Sequence, residues 1–313
     1  MVTQPANRFE LEIPTLIVAA CIYGGFFLLT WFFHDLPLWI AAPIGSVLIT
    51  WHGSLQHETI HGHPTAYRRL NALLAWPPIA LWIPYADYRR LHLLHHRYGG
   101  RRLTYPGRDP ESFYLPPGAS AGLGPIGRAV YRFRSTLAGR LLIGPAITIT
   151  RFWVHQLKGL SSAKPAQWGV ILSHAFGVAL VLAWVVGVCG ISLPVYVLLI
   201  VYPSVSLSML RSFVEHRYDE APHRRTAVVE GHPFFALLFL NNNLHMAHHE
   251  YPAIPWYELP AKWRDMQNSA ADSALLFPGG YSQVLWQYGL RSFIPLEHPD
   301  TASNAEATAD TQA

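Results

Sequence analysis

The chain carries 17 histidines in 313 residues, and nine of them fall into four spaced groups. The stretch "HETIHGHP" holds His57 and His61 four residues apart, and "LHLLHHRYGG" holds His92, His95 and His96 at i, i+3 and i+4. A lone His216 follows in "LRSFVEHRYDE", and "NLHMAHHEYP" repeats the triplet as His245, His248 and His249. Residues three and four apart share one face of a helix, and neutral imidazole is the commonest metal ligand. A single HxxxH more often marks polar surface or capping histidines; four such groups in one chain have no comparable bland reading. One ion takes roughly four to eight ligands, so nine imidazoles imply a pair of ions. Structural zinc recruits cysteine, and magnesium or calcium recruits carboxylates. An all-imidazole set with open positions suits iron used for redox chemistry.

The elements that must position these histidines are membrane spans. The chain is 51% hydrophobic and 13% charged, where a soluble domain carries about 25% charged residues. Four stretches, at about 14–33, 36–56, 167–189 and 191–210, are apolar over nearly the 20 residues that a bilayer core requires. The second is the weakest, because Pro37 and Pro43 interrupt it. "HDLP" joins the first pair and little more than Gly190 the second, so each pair is expected to form a tight hairpin. Between His52 and Gln167 there are 15 Lys and Arg against four Asp and Glu. The positive-inside rule then places loop 57–166, both termini and residues 211–300 in the cytoplasm. The expected architecture is an all-α integral membrane protein: four transmembrane helices in two hairpins, with a cytoplasmic helical cap carrying the histidines. Residues 1–300 are read as one domain and 301–313 as a disordered tail. The first apolar stretch lacks a basic leader and a cleavage site and is read as a retained helix.

Around these groups the readings are more modest. Cys21 and Cys189 lie inside spans, which argues against a disulfide framework. The stretch 71–86 is broken by Pro77, Pro78 and Pro84 and reads as re-entrant or interfacial. Leu123 to Leu160 mixes arginines with aromatic and aliphatic residues and reads as one or two interfacial amphipathic helices, more a lipid contact than a donor-protein site. Nucleic-acid binding is disfavoured, because no binding module accompanies the formal charge of +4. His63 is read as an outer-shell donor or a helix-end residue, His52 as lining the approach to the site, and His174 as hydrogen-bonded to a neighbouring helix. His34 falls at the opposite end of the spans. Glu58, Asp109, Glu111, Glu215, Asp219 and Glu250 are the carboxylates near enough in sequence to orient ligating imidazoles.

The order HxxxH, HxxHH, HxxHH resembles the membrane fatty-acid desaturase and hydroxylase superfamily, integral-membrane di-iron enzymes, over nearly the whole chain. "NNNLHMAHHEYP" followed by "PWYELP" is similar to the third histidine box of bacterial members, and "LRSFVEHR" to the segment carrying their additional ligand. The resemblance implies that His57, His61, His92, His95, His96, His216, His245, His248 and His249 ligate two iron ions. It also implies that Ser212 occupies the place of an asparagine that holds a metal-bound water in known acyl desaturases. "GRDPESFY" resembles a DPD or DPE stretch in bacterial desaturases and carotenoid ketolases, which makes Asp109 the first outer-shell candidate.

Such a centre uses O2 as co-substrate and draws electrons from outside, because the chain has no dinucleotide fingerprint, cysteine cluster or haem-binding segment. The implied donor is a ferredoxin, rubredoxin or haem protein with its reductase, and the implied substrate a membrane lipid or acyl chain in the bacterial inner membrane. Introduction of a double bond into a saturated acyl chain ranks first. Hydroxylation or carotenoid ketolation is the alternative, and a metal transporter or sensor the reading from another class.

Overall fold

The computed structural model describes residues 11–97, 102–160, 164–270 and 275–300. The tail 301–313, expected to be disordered, lies outside the described residues. Among the described residues four helices are long and apolar enough to cross a membrane: α1 (Ile13–Trp31), α2 (Leu38–Ile60), α8 (Pro165–Val188) and α9 (Leu193–Ser212). Each meets the length of roughly 20 residues that a bilayer core demands. Between them lie α3 (Arg68–Ala75), α4 (Tyr85–Arg97), α5 (Pro125–Arg134), α6 (Leu137–Leu142) and α7 (Gly144–Gly159). After α9 come β1 (Ala227–Val229), α10 (Pro233–Leu238), α11 (His245–Glu250), α12 (Leu259–Ala270), β2 (Leu275–Phe277) and α13 (Gly280–Tyr288). The architecture is helical. Among the described residues the strands are a parallel pair of three residues each, with Ala227 opposite Leu275 and Val229 opposite Phe277.

α2 is the central helix of the four. Half of its apolar window is buried against 17% of that of α8, whose Leu172, Phe176 and Leu180 face outward. Contrary to expectation, Pro43 does not interrupt α2. It lies early in the helix, where the amide it lacks would reach back only to the first turn. On the side of α2 facing α9, Gly45 permits close approach: a Cβ there would come within 2.8 Å of Ile200 Cγ2. Pro203 and the π-type turns of Tyr196–Val201 loosen the backbone ladder of α9, which in an apolar setting needs replacement donors. Ser46 Oγ donates to Ile200 O at 3.0 Å and Thr50 Oγ1 to Ser204 O at 3.0 Å, so α2 supplies them. Ile22, Ile49, Tyr196 and Ile200 complete this buried seam.

Both hairpin connections are short. A 3-10 turn, Phe33–Asp35, joins α1 to α2, and Gly190, at φ +68° where a side chain would be strained, turns α8 into α9. The two connections meet where His34 Nε2 lies 3.1 Å from Cys189 O. The histidine groups are at the other end of α2 from His34. The basic stretch 123–160 forms three helices rather than one or two, and it is not uniformly interfacial. Arg134 and Arg140 are buried, at 6% and 2% exposure, whereas Arg128 is exposed.

Candidate metal centre

Local chemistry places each histidine. α2 runs beyond its apolar part, so His57 lies in its last turn and His61 at its C-cap, and Gly62 at φ +107° ends it. Pro84 precedes α4, whose i, i+3, i+4 face presents His92, His95 and His96 inward. α11 is only six residues long, yet that suffices for the same spacing in His245, His248 and His249. Leu240 and Asn241, both at positive φ, bend the chain into it. His216 is not helical: it follows α9 by a turn and forms an isolated antiparallel bridge with Thr226.

The nine histidines resolve into two groups, each with its ring nitrogens within 4.8 Å of one another: His57, His61, His92, His96 and His248 in one, His95, His216, His245 and His249 in the other. The two triplets are therefore split, α4 and α11 each giving imidazoles to both groups. In the smaller group the Nε2 atoms form a closed ring, His95–His216 3.1 Å, His216–His245 3.0 Å, His245–His249 3.1 Å and His249–His95 3.2 Å. Four nitrogens with those edges leave a centre about 2 Å from each, the usual reach of an imidazole–metal bond. In the larger group His92 Nε2 is 3.0 Å from the Nε2 of both His61 and His96, and His96 Nε2 is 3.1 Å from His248 Nε2.

The arrangement favours bare lone pairs. Burial, and then the neighbouring imidazoles, hold His61, His92, His248 and His249 well below the usual histidine range. His216 is pushed down to about 3 in the same way. His95 is the exception. Burial alone would depress it, but Glu111 and Asp109 outweigh that and lift it to about 9.

Carboxylates orient the rings from behind. His95 Nδ1–H donates to Asp109 Oδ1 at 2.8 Å, and His92 Nδ1–H donates to Glu111 Oε1 at 2.8 Å. Such bonds fix the tautomer and turn Nε2 inward as an acceptor. Asp109 is itself held by the backbone N–H groups of Thr104 and Glu111, both at 2.9 Å. Glu215 Oε1 lies 3.4 Å from His245 Nδ1 and pairs with Arg211 Nε at 3.0 Å. Asn242 stands between the groups, with Oδ1 3.0 Å from His245 Nδ1 and Nδ2 3.3 Å from His57 Nε2. Neither Asn242 nor Arg211 stands out in the sequence. The available signals were the i, i+4 spacing of Arg211 to Glu215 and the position of Asn242 three residues before His245.

Other candidates are placed elsewhere. His63 pairs with Glu12 at the start of α1, not with a ring of either group, and ties that helix to the segment after the first histidine pair. Ser212 lines a small cavity shared with His216 and Arg140. His52 Nε2 contacts the Tyr23 hydroxyl at 3.1 Å, and His174 Nε2 lies 3.0 Å from Leu81 O. Glu58 accepts from Trp256 N, not from a histidine. His298 lies beside Thr104 Oγ1 and among the rings of Tyr105, Tyr114 and Tyr218.

Imidazole sets of this kind, beside four helices long and apolar enough to span a bilayer, fit a membrane oxidoreductase, and comparison with known proteins agrees. No curated protein matches the chain. The sequence model of the fatty acid desaturase family matches residues 34–279, which include all nine histidines of the two groups, Asp109, Glu111 and Glu215. The chain belongs to the fatty acid desaturase family.

Proposed function

We propose that the protein is an O2-dependent di-iron desaturase that introduces a double bond into the saturated acyl chain of a membrane lipid. The observation carrying this reading is the division of nine imidazoles into a five-membered and a four-membered group with inward-facing nitrogens. One ion fits each group by the chemistry of its donors. Family membership supports an oxidoreductase of the desaturase or hydroxylase type. When bound, a pair of ferrous ions supplies reductive O2 activation, which is strong enough to break an unactivated C–H bond.

The balance of the reaction is one O2, two electrons and two protons consumed for two hydrogens removed from adjacent carbons and two waters released. The chain's own residues hold and orient. His57, His61, His92, His96 and His248 would hold one ion, and His95, His216, His245 and His249 the other. Asp109, Glu111 and Glu215 fix the rings that face them, and the spans offer an apolar approach for a long chain. No group in the sequence stores electrons, so an external ferredoxin, rubredoxin or haem protein supplies them. The excess of Lys and Arg in the loop after His52 suits an acidic donor and supports a cytoplasmic position for the histidine end.

The test is the product spectrum. Lipids from cells expressing the protein, compared by mass spectrometry with cells expressing His95→Ala, should show an oxygen-dependent loss of two hydrogens from an acyl chain. A gain of one oxygen atom instead would assign the protein as a hydroxylase, and a gain of 14 mass units in a carotenoid, roughly one oxygen for two hydrogens, as a ketolase.

A further inference from the structure

Arg140 on α6 is 2% exposed, and its Nε and Nη1 atoms have no hydrogen-bond partner. Its guanidinium lies 3.4 Å over the ring of Phe113, which satisfies the face of the cation and leaves the N–H edge unserved. Arg134, 6% exposed, also has an unpartnered Nη1. No acidic side chain forms an ion pair with either guanidinium among the described residues. A guanidinium does not lose its charge in a protein, and a buried charge without a counter-charge is strongly disfavoured.

Arg140 also lines a cavity of about 20 Å³ that extends to Ser212 and His216. That is room for a guest of roughly one water's size. A water would accept the N–H bonds and leave the charge uncompensated. Three carboxylates share the cavity wall, but each is engaged. Asp109 is bonded to His95, Thr104 N and Glu111 N, Glu111 to His92, and Glu215 to Arg211. None of the three forms an ion pair with Arg140 among the described residues; over the whole centre the charges of Arg134, Arg140 and Arg211 only equal in number those of Asp109, Glu111 and Glu215. Neutral imidazoles add no negative charge, so two divalent ions leave about four positive charges uncompensated.

We propose that this cavity is a binding site for one small monovalent anion of halide size, held by the N–H edge of Arg140 beside Ser212. The charge count rests on the two-metal reading; the unserved guanidinium does not. The anion stands next to the four-histidine group and provides the counter-charge that the ligand set lacks. Its occupancy sets the protein's stability against the halide concentration of its surroundings.

The experiment is thermal unfolding of the full chain in detergent at constant ionic strength, with bromide replacing gluconate, which is too large for the cavity. The wild-type midpoint should rise by roughly 3–6 °C at saturating bromide. Arg140→Met should lose that rise, and Arg128→Met, on the exposed face of α5, should keep it. An anomalous bromine peak beside Arg140 in wild-type crystals is the expected structural counterpart, and it decides the matter alone if Arg140→Met does not fold. An equal bromide response in Arg140→Met, or a map without that peak, overturns the proposal. Iron analysis of the same samples shows separately whether the two-metal reading holds.

Discussion

Replacing Asp109 by Asn exchanges one buried oxygen for an amide nitrogen in a place where every lone pair in use has a donor aimed at it. Asp109 accepts from His95 Nδ1–H and Glu111 N–H through Oδ1 and from Thr104 N–H through Oδ2. An amide offers only one acceptor atom. If the oxygen stays on His95, the new NH2 confronts the Thr104 N–H; if it turns, the NH2 confronts His95 and Glu111. Either way a buried donor is orphaned, at a cost of about 1–3 kcal/mol to folding. The carboxylate charge behind His95 is lost as well, and such outer partners are worth about 10–100-fold in metal affinity, or roughly 1.4–2.8 kcal/mol. The loss should fall on the four-histidine group, because His95 belongs to that group alone. The assay is iron content after equilibration with graded concentrations of a chelator. Asp109→Asn should lose its first iron at about 10–100-fold lower chelator than wild type and its second near the wild-type concentration. Retention of both ions at the wild-type midpoint would refute the argument.

Four further outcomes are expected. Purified protein should contain close to two iron atoms per chain, as two groups of imidazoles imply; elemental analysis finding one or none counts against them. His95→Ala and His248→Ala should each abolish turnover while the protein still inserts, since neither side chain lies on a span; activity in both would remove the ligand assignment. His34→Ala should leave activity intact and lower stability by about 1 kcal/mol, the value of its contact with Cys189 O, as read from the unfolding midpoint. Gly45→Leu should force α2 away from Ile200 and cost about 1–3 kcal/mol or more; an unchanged midpoint would mean that the two helices do not pack as described.

The spans were legible because a bilayer imposes one strong, local requirement on sequence: a long apolar run with its backbone bonded internally. Pro43 was misjudged for the same reason. Its effect depends on which turn of the helix it occupies, and hydropathy does not record that. Leu123 to Leu160 shows the limit from the other side. Composition marks Arg134 and Arg140 as surface cations, and only the packing of α5 and α6 against Phe113 turns them inward.

At the centre itself, the spacing of eight of the nine histidines, all but His216, determined that imidazole-bearing faces exist, because i, i+3 and i+4 fix a helical face without reference to the rest of the chain. Sequence also placed Asp109 and Glu111 within reach of the second box. It did not determine the sorting. His92 and His96 join His57, His61 and His248, whereas His95, between them on the same face of α4, joins His216, His245 and His249. That partition comes from how α4 and α11 meet between α2 and the turn carrying His216. The same packing brings Asn242 between His57 and His245, and Arg211 and Glu215 behind the four-histidine group. These contacts join residues up to 185 positions apart. A periodic pattern reports which side of its own helix a residue occupies, and only the three-dimensional arrangement of helices decides what that side faces.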